Sequence, residues 1–437
     1  MTLMDKITAL AKRRGFVFPG SEIYGGLAGT WDYGPLGTEL KFNFKQAWWD
    51  YMVSKRENIF GINASILMNP KVWEASGHTA AFSDPLIECK ICHERLRADQ
   101  DEEKQAHETM HESRKEDPAW TEPRTFNLLV EAKLGVIEGE KAAVYLRGEI
   151  TQGVHVNFKN VLDSMHPKIP FGIAQIGKAF RNEITPGNFT YRLREFEQME
   201  LQYYVRPDEQ EAMKAFEMWK AERMRWYEML GVKKEKLRFR EHAPDERAHY
   251  ARAAWDIEYE TPFGWREAEG IHHRGDWDLS RHAEFSKEDL SYFDEETKAR
   301  FIPWVIETSC GVERPLLYVL LDAYSEEEGR VVLKLHPRLA PYKAAVFPLL
   351  ANKPALVERA RAVFGALKAK FAVSWDDRGN IGKRYYSQDE IGTPFCITVD
   401  FETLENGTVT VRNRDTMQQE RIHEKELAAF LSDNISA

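Results

Sequence analysis

In the segment 178–205, KAFRNEITPGNFTYRLREFEQMELQYYV, the polar residues are spaced as if two strands joined by about ten loop residues carried them on one shared face. Successive side chains of a strand point to opposite faces. Arg181 and Glu183 then share a side, and Phe180, Asn182 and Ile184 share the other. On the returning strand Phe196, Gln198 and Glu200 lie together, while Met199, Leu201, Tyr203 and Val205 form an apolar stripe facing the opposite way. A guanidinium, two carboxylates and an aromatic ring above an oily face suit a ligand with a phosphate, a flat base and an ammonium group. The competing reading is a solvated antiparallel sheet laced with ion pairs, because half-buried antiparallel sheets alternate in the same way.

A second group lies in the polar run 88–122. Cys89 and Cys92 form C-x2-C, and 15 residues after Cys92 come His107 and His111 as H-x3-H. This spacing is within the range of a zinc site, and a helix would put both imidazoles on one face. The alternative is a His-rich hydrophilic insertion in which such spacing arises by chance, and its acidic neighbours and His93 tilt the balance that way. On that reading the run is a solvated helix or a mobile segment.

The elements that must position these groups can be read coarsely. Residues 1–80 mix helix and strand, with Trp48, Trp49 and Tyr51 on a helix expected at a core or an interface between copies. Strand patterning returns over 143–205. Residues 208–230 place Met213, Phe216, Met224, Tyr227 and Leu230 at helical spacing, ended by Gly231, as packing residues. Residues 255–310 look like further antiparallel sheet. The stretch LHPRLAPYKAAVFPLL marks a linker into a new domain, where strand-like and helix-like segments alternate as in an α/β unit.

At roughly 150 residues per domain, 437 residues suggest two or three domains. The net charge is −10, but from Arg338 onward 14 Lys plus Arg face 13 Asp plus Glu, so the acid sits in the preceding part. Such a balance neither favours nor excludes nucleic acid. No run of about 18 apolar residues suggests a membrane span, and the opening MTLMDKITALAKRRG reads as a short charged amphipathic helix, not a secretory signal. Four scattered cysteines make no disulfide framework. A cytoplasmic protein is expected.

The order of residues goes further than their spacing. FRNE, a basic loop ending RLREF and a strand ending in QME resemble motif 2 of the class II aminoacyl-tRNA synthetases, and the wording is most similar to the glycyl-tRNA synthetase family. Residues 15–37 and 62–79 resemble that family's first segment and motif 1, which builds the dimer interface and ends at Pro70. VIETSCGVER at 305–314 resembles motif 3, and the last hundred residues resemble the family's anticodon-binding domain. The resemblance implies an α+β catalytic domain built on an antiparallel sheet over 1–337, followed by an α/β anticodon-binding domain over 338–437. It implies a homodimeric ligase of protein biosynthesis that joins glycine to tRNA(Gly) through an adenylate, with ATP as substrate and Mg2+ as cofactor.

Carried over position by position, the resemblance gives Arg181 and Arg314 the catalytic roles. A planar fork can bridge a carboxylate and the α-phosphate, and Arg314, beside Pro315 at the start of an apolar helix, would hold the far phosphates. Asn182, Glu183, Tyr191, Arg192, Leu193, Arg194, Glu195, Phe196, Glu267, Ala268, Gly311, Val312 and Glu313 complete the implied ATP site. Phe196 is the stacking ring, Glu183 the acceptor for the adenine amino group, and Glu267 a candidate for Mg2+. For glycine the resemblance implies Arg97, Glu149, Phe196, Glu197, Gln198, Met199, Glu200, Arg274, Glu307, Thr308, Ser309, Cys310 and Gly311. Glycine offers only its ammonium and carboxylate, so Glu149, Glu200 and Glu307 would take the ammonium; three converging acids repel unless a cation lies among them. Every competing amino acid is larger, so a tight wall excludes it and no editing domain is needed.

Two departures stand beside the pocket acids. The family usually has RPE where this chain has Arg147-Gly148-Glu149, and proline where it has Thr308; both changes are expected to loosen the backbone. Two other readings share the fold: a catalytically inactive nucleic-acid-binding relative, which need not keep the ATP arginines and the three acids together, and a threonyl- or prolyl-type synthetase, which lacks the three-acid pocket.

Overall fold

The computed structural model describes residues 1–436 apart from 136–141, 244–245, 247–250 and 328. Its centre is a seven-stranded sheet of β1 (Ile59–Ile62), β2 (Phe171–Phe180), β3 (Glu195–Val205), β4 (Leu237–Glu241), β5 (Ala253–Thr261), β6 (Gly264–Gly275) and β7 (Trp304–Gly311), in the order β4-β5-β6-β7-β3-β2-β1. All neighbours are antiparallel except the edge pair β1–β2.

The alternation in β3 sets the two faces. Met199, Leu201, Tyr203 and Val205 point down into the main core, where the helices Glu209–Met229 and Glu313–Ala323 pack. Phe216, Tyr227 and Leu230 are buried there, with Met213 and Met224 at its margin. Trp48, on the helix Pro35–Trp49, is also fully buried in this core. Beneath the sheet Arg223 donates from Nε and Nη2 to Glu269 of β6, at 2.5 and 3.0 Å. The upper face has two ends. At one, Tyr204, Phe171 and Val305 lie in a second cluster with residues of the helices Thr151–His155, Phe158–Met165 and Trp277–Ser286. Toward Phe196 the same face is open.

β2 stops at Phe180, so the loop between β2 and β3 runs from Arg181 to Arg194 and is longer than the ten or so residues expected. The reason is local: the Asn182 amide donates to Leu128 O and not to a strand, and the Arg181 amide closes the loop on Arg194 O. The polar insertion is ordered. Strands Ser83–Glu88, Arg95–Arg97 and Arg124–Asn127 form a small sheet, and the helix Asp101–Ser113 buries His107 and His111, so it is not a purely solvated segment.

The C-terminal sheet is mixed. Val373–Trp375, Ala344–Pro348 and Phe395–Val399 are parallel, and Thr408–Asn413 and Gln419–His423 extend it antiparallel. Its core is separate, covered by the helix Pro354–Lys368 and residues of Leu427–Ser436. The segment expected as a linker is packed: Leu335, Leu339 and Ala340 are buried, and Lys343 Nζ donates to the carbonyls of Pro337, Arg338 and Ala340. Ile391 belongs to the first core, and buried Asp389 accepts from both Arg330 and Arg412.

Candidate active site

The open end of the upper face is a cavity whose lining includes Arg181, Glu183, Tyr191, Arg192, Phe196, Gln198, Glu200, Glu267, Arg274, Glu307, Ser309 and Arg314. Strand geometry explains the selection. In β3 the residues Phe196, Gln198 and Glu200 point up, and so do Glu307, Ser309 and Gly311 of β7; Glu200 and Ser309 are direct cross-strand partners. In β6 the pairing slips by one residue at Ala268, since Ile257 faces Glu269 while Glu258 faces Glu267. This bulge puts Glu267 on the cavity side together with Gly270, His272 and Arg274, while Glu269 turns down to Arg223.

At one end of the cavity Arg181 is held between two rings, 5.2 Å from Phe82 and 5.3 Å from Phe196, and its Nε donates to Gly148 O at 3.0 Å. Its Nη atoms make no hydrogen bond or ion pair among the described residues, so the fork is available to an oxyanion. Glu183 is buried, with Oε2 lacking a hydrogen bond and Arg192 Nε 3.8 Å away. Arg314 lies over Tyr191 at 4.6 Å, donates to Tyr191 O and pairs with Glu267 at 3.1 Å. Its helix begins at Glu313, so the guanidinium sits by a helix N-terminus.

The three acids meet at the other end, in unlike environments. Glu307 is gripped by Arg274 Nη1 at 3.1 Å to each oxygen, by His272 at 2.9 Å and by Gln202 at 2.8 Å. Burial works against its charge, but Arg274 and His272 outweigh it and hold the carboxyl well below the usual range. For Glu149 burial is likewise outweighed, here by the His78 ring at 3.3 Å and by Arg274, and the carboxyl is pulled down to about 2. Glu200 has no such cation. It accepts from Thr151 Oγ1 at 2.5 Å, Ser309 Oγ at 2.7 Å and Gln198 Nε2 at 3.0 Å, and burial together with the charges of Glu307 and Glu149 pushes it up to about 8. Two of the acids therefore already have partners within the protein, Glu307 in Arg274 and Glu149 in the His78 ring.

Other candidates lie elsewhere. Glu197, Met199, Thr308 and Val312 are outside the lining: Met199 and Val312 are core residues, and Glu197 pairs with Lys41 and Lys45 at 2.7 and 2.9 Å. Arg194 donates to the carbonyls of Glu183 and Ala28, Glu195 pairs with Lys178 at the surface, and Asn182 is tied to Leu128. Arg97 is engaged by Asp84 at 2.7 Å and by Asp99 at 2.6 Å and does not line the cavity. Leu193, Ala268, Cys310, Gly311 and Glu313 do line it, Glu313 being paired with Lys41 at 2.6 Å. Cys89, Cys92, His107 and His111 come together outside it.

At the two departures the surrounding structure is filled or paired. A Cβ at Gly148 would come within 2.8 Å of the Phe82 ring, so that ring occupies the space of a larger residue. Thr308 sits on a central strand, paired to Leu201 on one side and Ile271 on the other. Sequence reasoning missed His78, Phe82, Thr151, Gln152, His272 and Asp278. Asp278 accepts two hydrogen bonds from Arg274, at 2.8 and 3.0 Å, and sets its direction. Only Thr151 and Gln152 had a signal, lying inside LRGEITQG beside Glu149.

Comparison with known proteins agrees with this geometry. Residues 135–324 match the "tRNA synthetase class II core domain (G, H, P, S and T)" family, and residues 343–434 match the "Anticodon binding domain" family. The chain is 51% identical to a glycine–tRNA ligase of Geobacillus kaustophilus, covering 99% of each chain. It is 49% identical to that of Chlorobaculum tepidum over 99% of this chain and 100% of the relative, and 50% identical to that of Borreliella burgdorferi over 100% and 98%. A class II core whose open sheet face carries two arginines and three buried acids, with full-length identity near one half, leaves one assignment: the chain belongs to the glycyl-tRNA synthetase family.

Proposed function

We propose that the chain activates glycine with ATP and transfers it to the 3′ end of tRNA(Gly). The observation that carries this reading is the contrast between Glu200, an acid hydrogen-bonded only by neutral donors, and Arg181, a guanidinium with an unengaged fork, on the same open sheet face. Glu200, with Ser309 and Thr151 beside it, would take the substrate ammonium, and Arg181 would bridge the glycine carboxylate and the α-phosphate. A carboxylate oxygen then forms a bond to phosphorus as the bond to pyrophosphate breaks, a step governed by positioning and charge stabilisation. Phe196 offers its ring to adenine, Glu183 Oε2 an acceptor for the exocyclic amine, and Arg314 a contact to the distal phosphates. Glu267 is a hard oxygen donor at the phosphate end and would hold Mg2+, which neutralises phosphate charge when bound.

The C-terminal unit, from about residue 338, is proposed to read the anticodon. Among the basic and aromatic residues of 378–386, Arg384 is buried and donates to the carbonyls of Pro348, Asp377, Arg378 and Gly379, so it holds a loop. Arg378, Lys383 and Tyr386 remain accessible. A homodimer is supported by the exposed apolar side chains of Leu67, in the segment resembling motif 1, and of Phe42, on the helix Pro35–Trp49. No helix among the described residues is long and apolar enough to cross a membrane; a cytoplasmic setting suits four free cysteines.

The test is amino-acid-dependent ATP–pyrophosphate exchange over all twenty amino acids. Exchange should require glycine, with alanine and serine far weaker. Higher activity with any other amino acid overturns the assignment, and no exchange at all favours the inactive nucleic-acid-binding relative.

A further inference from the structure

The four groups Cys89, Cys92, His107 and His111 reach one point from two elements. Cys89 directly follows the strand Ser83–Glu88 and Cys92 lies in the turn after it, while the imidazoles stand one turn apart on the helix Asp101–Ser113. Their ligand atoms all lie within 4.8 Å of one another. Cys92 Sγ is 3.5 Å from His107 Nε2, and Cys89 Sγ is 3.7 Å from His111 Nε2. A tetrahedral ion with zinc–sulfur bonds of about 2.3 Å and zinc–nitrogen bonds of about 2.05 Å separates sulfur from nitrogen by about 3.6 Å.

The outer partners match as well. His107 Nδ1 is 3.1 Å from Glu94 Oε2, and His111 Nδ1 is 2.5 Å from Glu116 Oε2. A proton on Nδ1 donated to a carboxylate leaves the Nε2 lone pair facing the sulfurs, the arrangement that orients a metal-bound imidazole. Cys89, His107 and His111 are buried, and Trp120 packs 5.1 Å from His107. Two thiolates and two imidazoles in a closed set of four protein donors select zinc in a structural role.

The helix that carries the imidazoles gives the site a purpose. It has 13 residues, mostly polar, and an isolated helix of that length is marginal in water. Yet its Glu103 reaches the β2–β3 loop, 3.6 Å from Arg192 Nη1 and 3.3 Å from Thr185 Oγ1. We infer that Cys89, Cys92, His107 and His111 bind one zinc ion, which fixes this helix on its hairpin so that Glu103 steadies the loop bearing Arg192 over the ATP end of the cavity. The zinc site stands apart from the proposed activity; its effect on ATP rests on that reading.

Metal content separates the two. The full chain, purified and washed with a weak chelator, should contain one zinc per chain by mass spectrometry. Cys92→Ser and His107→Ala should lose it, and His93→Asn, at an exposed neighbour outside the set, should keep it. As a measurement independent of how the ligand variants fold, the unmodified chain is also stripped and reloaded with cobalt(II), which should show a thiolate-to-metal charge-transfer band and the intense d–d bands of a tetrahedral ion. Absence of stoichiometric zinc, a different native metal, or a cobalt spectrum without the thiolate band overturns the site. Stripping, and separately Glu103→Gln with zinc retained, should each raise the KM for ATP about two- to fivefold in pyrophosphate exchange, as for loss of a surface ion pair, with glycine dependence intact. An unchanged KM for ATP after stripping overturns the link to the loop and leaves the metal site standing.

Discussion

Glu200 shares one buried corner with Glu149 and Glu307, but Arg274 pairs with Glu307 and the His78 ring lies against Glu149, while Glu200 accepts only from the neutral donors Thr151, Ser309 and Gln198. Its folded value, about 8, lies above the ordinary carboxyl value, so the free protein holds an extra proton between the two. An ammonium binds the ionised form, so that proton must leave, and glycine should bind more tightly as pH rises toward about 8. The KM for glycine in pyrophosphate exchange should fall by up to about tenfold per pH unit below this point and level off above it; Glu200→Gln should remove the slope. By the same linkage the unliganded fold loses stability as pH rises through this window, because the folded state binds more protons than the unfolded. Arg314 makes its contacts at the cavity surface, so Arg314→Ala should raise the KM for ATP or lower turnover while the circular dichroism spectrum stays unchanged; a collapsed spectrum would mean a structural role. The acids and arginines were legible from motif wording, whereas the work of Arg274 depends on Asp278 and Glu307, and their meeting requires two strands and a helix to be assembled first. Arg97 and Arg384 show the converse, being basic residues in plausible places that folding commits to internal partners.

The strands were the most legible elements, since the period of two in β3 dictates which side chains are buried and which face the ligand. The bulge in β6 was not. Glu267-Ala268-Glu269 reads as plain alternation that would put both acids on one face, with neither glycine nor proline to mark the slip. What separates them is tertiary: Glu269 is required below by Arg223 of the helix Glu209–Met229. Arg223→Met should therefore destabilise the fold by about 3–5 kcal/mol, because it strands a buried carboxylate, and adding Glu269→Met should recover much of that loss. Urea unfolding of the two variants measures both. A single-variant cost no larger than that of an exposed ion pair would mean that water reaches Glu269. The polar insertion was half legible: the Cys and His spacing could be read, but the turn that brings the pairs together could not.

At the scale of the molecule the C-terminal sheet carries the groups proposed to meet RNA, and Tyr386 is the accessible aromatic ring next to Lys383. A base stacked on such a ring contributes about 1–3 kcal/mol, so Tyr386→Ala should weaken tRNA charging roughly five- to hundredfold in KM while glycine-dependent pyrophosphate exchange is unaffected. Equal losses in both reactions would tie this surface to the fold and not to tRNA. The change of patterning near residue 338 was visible in the sequence, but the joint itself was not, because it is made by residues far apart: Arg330 and Arg412 both end on Asp389, and Ile391 fills the first core. A joint of this kind governs cooperativity. Were the connection a loose tether, each half would melt by itself and a calorimeter would record two heat-absorption peaks. With buried Asp389 accepting from Arg330 across the seam, opening either half breaks a buried ion pair on which the other also rests. The chain should melt in one peak, and Asp389→Asn should split that peak in two.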